Sequence, residues 1–144
     1  MNITPPELPA NLGIRGVGID IEDVDRIRKA VETHGKRFVN RILTQAEQDA
    51  CLGRDDWPQR VAARWCAKEA VAKALGAPQG LAWHDCEVLT VCAPDGKPLS
   101  SVLSFYFRDE VLPYYAGDDE AARDLAANDF KYWELMRRSC ERGL

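Results

Sequence analysis

Asp20, Glu22 and Glu69 are carboxylates that could share one hard cation, and Lys73 follows Glu69 at i+4. Asp20 and Glu22 alternate with apolar residues in Gly16-Val17-Gly18-Ile19-Asp20-Ile21-Glu22, on the side that the glycines leave bare. Three carboxylates cannot crowd together uncompensated, because each pushes the others toward protonation and desolvation adds to the push. Mg²⁺ suits such a set, since it takes oxygen ligands, keeps several waters and is completed by substrate phosphates. Plainer readings stand beside this one. Glu69 and Lys73 can satisfy each other as a helical pair worth a few tenths of a kcal/mol, and Asp20 and Glu22 can be acids favoured by a helix N-terminus. Periodicity leaves these alternatives open.

The elements that must position these groups are legible from patterning. Ile14 to Ile21 alternates as a strand, with Val17, Ile19 and Ile21 on one face. Asp23 to Thr33 has helical spacing closed by Gly35, and Arg37 to Leu43 gives a short second helical segment. Thr44-Gln45-Ala46-Glu47 is a capping box that starts another helix. Gln59 to Leu75 is a long helix, apolar almost all round and ended by Gly76 as a left-handed cap. Its charges form two narrow stripes, Arg64 with Lys68 and Glu69 with Lys73. Asp85 to Val91 and Leu99 to Phe107 read as a hairpin around Ala93-Pro94-Asp95-Gly96-Lys97-Pro98. Asp118 to Arg142 reads as one amphipathic helix with Ala122, Ala126, Phe130 and Trp133 on its apolar side. This order predicts an α+β fold: a small antiparallel sheet packed against a central long helix and shorter helices, with an extra C-terminal helix.

The chain has 144 residues, 46% of them hydrophobic, which predicts one domain with a substantial core. Its net charge is −4, which argues against a general nucleic-acid binder. No apolar run approaches the ~20 residues of a membrane span, and the Pro-rich Met1 to Leu12 reads as a mobile arm rather than a signal peptide. The expected location is cytoplasmic. The five cysteines form no C-x-x-C pair and read as reduced core residues, and the two histidines are too few for a histidine-based metal site.

Taken together, several motifs resemble one family. Gly16-Val17-Gly18-Ile19-Asp20-Ile21-Glu22, Arg26-Ile27, Arg37-Phe38, Arg41-Ile42-Leu43-Thr44, Glu47, Arg64 to Gly76, Trp83-His84-Asp85-Cys86-Glu87-Val88 and Gly96-Lys97-Pro98 are similar, in collinear order, to the 4′-phosphopantetheinyl transferase superfamily, above all to its holo-acyl-carrier-protein synthases. The resemblance implies transfer of the phosphopantetheine arm of coenzyme A to a serine of an apo acyl or peptidyl carrier protein, with release of adenosine 3′,5′-bisphosphate. It implies Mg²⁺ held by Asp20 and Glu69, with Glu22 as a further ligand. It also implies catalysis by Glu69 and Lys73, coenzyme A contacts from Arg64, Lys68 and Lys73, and docking of the carrier on Arg26. Arg37 and Arg41 join Arg26 as candidate partner contacts, and a homotrimer is the assembly that such synthases form.

The match stops at Gly96-Lys97-Pro98. The family's closing strand, with its Ser-x-Ser-His type signature, has no counterpart, since no histidine follows His84. Either Leu99 to Phe107 replaces that strand, or the C-terminal part, 108–144, is a divergent helical element that alters the oligomer interface. Two functions follow from the residues: an Mg²⁺-dependent transferase, or a catalytically impaired relative that binds a carrier protein or synthase. The Asp20, Glu69 and Lys73 set favours the first, and the missing signature the second.

Overall fold

The structure, a computed structural model, describes residues 16–144. The Met1 to Leu12 arm lies outside the described residues. In chain order the elements are α1 (Val24–His34), α2 (Lys36–Ile42), α3 (Gln45–Cys51), α4 (Trp57–Ala74), β1 (Cys86–Cys92), β2 (Pro98–Phe107), β3 (Glu110–Asp118) and α5 (Ala127–Glu141). The fold is α+β, as the pattern predicts. Two compact units are present among the described residues: 16–42 with Gly53–Trp83, and Leu43–Leu52 with His84–Leu144.

The first unit is helical. Asp23 caps α1 by accepting from the Asp25 amide, and Gly35, at φ +54°, lets the chain turn directly into α2. Ile27, Val39, Ile42, Val61 and Ala62 are buried here, and Trp65 lies 6.2 Å from Phe38 and 5.2 Å from Trp83, centroid to centroid. The predicted first strand is corrected. Gly16 to Asp23 belongs to no sheet; among the described residues the only sheet is β1-β2-β3. The glycine face lies on the backbone of α4 instead, and Val17, Ile19 and Ile21 are exposed. Alternation encodes side-chain direction and not a hydrogen-bonding neighbour.

The second unit carries the sheet, in antiparallel order β1-β2-β3. The expected hairpin is present, with Leu89 opposite Val102. Between the hairpin and the last helix, where patterning assigned no element, lies a third strand. Residues 110–118 pair with β2, and the register slips between Leu103 and Ser104, which leaves Tyr114 as the extra residue beside Pro113. Proline is tolerated there because β3 is an edge strand and the slip is a bulge.

The closing helix starts only at Ala127, after Ala126 in the left-handed region at φ 48°. That late start changes the buried face to Ala127, Lys131, Leu135 and Ser139, while Phe130 and Trp133 stack on each other, half exposed. Lys131 is fully buried because its ammonium reaches Asp118 at 3.2 Å. Leu135 packs with Leu89 and Val102.

Two buried glutamates tie this unit together. Glu47 completes the capping box of α3 and accepts from the amide of Val88 on β1 at 2.9 Å. Glu87 accepts from Thr44 Oγ1, from Tyr106 Oη at 2.9 Å and from Arg142 Nη2 at 2.8 Å. Burial pushes the Glu87 carboxyl up, but the Thr44 hydroxyl, the Arg142 charge and Tyr106 outweigh it, and the group lies below its ordinary value of 4.5. Burial, and then the Glu87 charge, push the Tyr106 phenol up. A depressed folded-state carboxyl contributes stability above the ordinary value and loses it as pH falls through the lower one. Glu87→Gln should therefore destabilise the protein by about 2–4 kcal/mol at pH 7. The deficit against the parent should shrink below pH 4.5, which denaturant titrations at neutral and acid pH will read.

Candidate active site

A single close contact builds the site in the first unit. An added Cβ on Gly16 would lie 1.9 Å from the carbonyl oxygen of Ala74, and one on Gly18 would lie 1.8 Å from that of Ala70. Two extended residues advance ~6.6 Å and four helical residues ~6 Å, so alternate residues of the segment meet successive turns of α4. Asp20 is the next residue in that series and the first with a side chain.

The series descends α4 from Ala74 to Ala70 and so brings Asp20 level with Cys66, where the long side chain of Lys73 reaches back to it. The Lys73 ammonium donates to Asp20 Oδ1 at 2.6 Å and to the Ile19 carbonyl oxygen at 3.3 Å. The Asp20 side chain is 12% exposed and that of Lys73 50%, so one end of the pair is sheltered and the other faces solvent. The hydrogen bond from Asp20 raises the Lys73 ammonium above its ordinary value, and the charge of Glu69 adds to the rise. Lys73 thus stays a cation throughout the neutral range. Cys66 also borders Asp20. Burial and then the Asp20 carboxylate hold its thiol above the ordinary value. Sequence reading placed Cys66 only among core residues, although its i, i+3, i+7 relation to Glu69 and Lys73 marks the shared helix face.

The other candidates have partners of their own. Glu22 is turned to the start of α1, where it accepts from the Asp23 amide at 2.9 Å and from Arg26 Nη1 at 3.1 Å. This is the helix N-terminus environment of the plainer reading. Arg64 and Lys68 point inward: Arg64 donates to the Arg60 carbonyl oxygen at 3.3 Å, and Lys68 to those of Ile42 and Trp83. Arg26, Arg37 and Arg41 are exposed on α1 and α2. Among the described residues no group of three or more His, Cys, Asp or Glu is arranged to hold a metal ion. Asp20 and Glu69 both act on Lys73, and Asp20 and Glu22 both act on Cys66. A concavity of about 700 Å³ lies in the second unit, lined by Asp118, Asp119, Asp124 and Asp129 among others, and carries none of these groups.

Residues 16–114 match the family model for the 4′-phosphopantetheinyl transferase superfamily. The chain belongs to that superfamily. It is accordingly an enzyme of the transferase class. Holo-[acyl-carrier-protein] synthase of Salinispora arenicola is 47% identical over 89 residues, 62% of this chain and 70% of the relative. The synthase of Chlamydia pneumoniae is 51% identical over 77 residues, 52% of this chain and 63% of the relative. That of Chlorobaculum tepidum is 42% identical over 112 residues, 76% of this chain and 94% of its own. Among solved structures, the Thermotoga maritima holo-[acyl-carrier-protein] synthase is 34% identical with a TM-score of 0.47, covering 65% of this chain and 49% of that one. The family match runs to Tyr114, past the Gly96-Lys97-Pro98 turn and into β3.

Gly18→Ala tests the contact that builds the site. The added methyl collides with helix backbone and not with a movable side chain. It should cost about 1–3 kcal/mol despite the smaller unfolded-state entropy of alanine. Thermal melting will measure the loss, and the variant should also lose transferase activity because Asp20 can no longer reach Lys73.

Proposed function

We propose that the protein transfers the 4′-phosphopantetheine arm of coenzyme A to a serine of an apo acyl or peptidyl carrier protein, releasing adenosine 3′,5′-bisphosphate. The Asp20–Lys73 pair carries this reading, with Glu69 one turn earlier on α4. Asp20 and Glu69 would hold Mg²⁺. The donor set fits, because that ion is commonly bound by one or two carboxylates and completed by water and substrate phosphates. When bound, it would neutralise charge on the pyrophosphate of coenzyme A.

The chain's own residues supply the rest. The serine Oγ attacks the phosphorus that bears the pantetheine arm; the Oγ–P bond forms and the P–O bond to the nucleotide bisphosphate breaks. The serine proton passes to the Glu69 carboxylate, directly or through water. Lys73, held protonated by Asp20, offsets charge on the departing phosphate oxygen without a covalent intermediate. Arg26, Arg37 and Arg41, among the solvent-facing cations of α1 and α2, would receive an acidic carrier surface in the cytoplasm. Assembly as a homotrimer accompanies this reading, and light scattering will read it.

Intact-mass analysis of an apo carrier incubated with the protein, coenzyme A and Mg²⁺ should show the gain of one phosphopantetheine. Chelator should abolish it, and Glu69→Ala should slow it by at least ~100-fold. Lys73→Met should lower kcat by roughly 10²–10³-fold, as loss of one preorganised charge does. Carrier binding without any mass gain would support the carrier-binding module instead.

A further inference from the structure

Arg60, Arg64 and Lys68 recur at four-residue spacing on α4, and all three are buried. Lys68 is the extreme case at 1% exposure, with its Nζ donating to the Ile42 carbonyl oxygen at 2.9 Å and to that of Trp83 at 2.8 Å. Ile42 ends α2, so its oxygen is among the carbonyls a helix leaves without an internal donor. Trp83 closes the stretch that follows α4, and its ring packs against Trp65 on that helix. An ammonium suits this place because its donors, on a flexible stem, can serve acceptors arriving from different directions. Glu69 and Lys73 stand roughly 100° and 140° around the helix axis from Lys68. A bound phosphate could recruit Lys68 only by breaking both bonds and bringing the amine out to solvent.

We propose that Lys68 is a positioning residue and not a phosphate contact: its buried ammonium fixes the rotation of α4 against the end of α2 and the backbone at Trp83, so that Glu69 and Lys73 face the reacting groups. The catalytic half of this statement rests on the proposed function; the buried tie does not.

Acetylation of the folded, full-length protein with a water-soluble succinimidyl acetate, read by peptide mass spectrometry, separates the two roles. Lys73 should be acetylated readily and be shielded by coenzyme A with Mg²⁺. Lys68 should react at least tenfold more slowly, indifferent to coenzyme A, until denaturant unfolds the chain. Acetylation of Lys68 within twofold of the Lys73 rate, or shielding of Lys68 by coenzyme A, would overturn the assignment. If Lys73 is never shielded while Lys68 stays blocked, the active-site reading fails and the buried tie stands. Lys68→Met should melt roughly 5–10 °C lower, since two buried carbonyls lose their donor. Assayed well below that melting point, its kcat should fall while KM for coenzyme A stays within twofold. An unchanged melting point with a tenfold higher KM would sink the proposal.

Discussion

The closeness of two backbones is the constraint on which the site depends. At Gly16 and Gly18 the extended segment lies so near α4 that even a methyl group would overlap helix carbonyls. The nearly matched advance of strand and helix turns that approach into a register, so Asp20 arrives level with Cys66 with its backbone direction already set and within reach of the Lys73 ammonium. Preorganisation of this kind removes from the reaction the cost of gathering its charges.

Carboxylates in this protein divide by how their charge is met. Glu47 and Glu87 are buried and supplied with backbone amides, hydroxyls and Arg142, and they hold α3, the sheet and the chain's end in place. Asp20 is sheltered but meets a cation whose other side is open to solvent. A fully supplied carboxylate has little capacity left for a ligand, whereas one balanced by a mobile ammonium can exchange that partner for another positive centre. The same logic separates the lysines of α4: Lys68 is committed to carbonyls and Lys73 is not sealed in.

Much of this was legible in the residues. The capping box at Thr44, the long helix with its Gly76 stop, the β1–β2 hairpin and the facing of Glu69 with Lys73 depend on contacts a few residues apart, which local spacing encodes. The unpaired Gly16 to Asp23 segment, the strand β3 and the buried face of α5 were not legible. Each depends on a distant partner: a helix in place of a strand neighbour, β2 alongside a segment with no pattern of its own, and Asp118 beneath Lys131. A lysine reads as surface until the acid that neutralises it is known, and so Phe130 and Trp133 were given the core face that Lys131 in fact occupies.

By itself the sequence determined the family, the α+β class and the bare glycine face. These follow from residue type, short-range spacing and collinear motifs. Only the tertiary structure decided which charge each distant group meets: Asp20 with Lys73, Glu87 with Arg142, Lys68 with two carbonyls. An ion pair depends on the distance between side chains brought together by packing, and no period along the chain carries that distance.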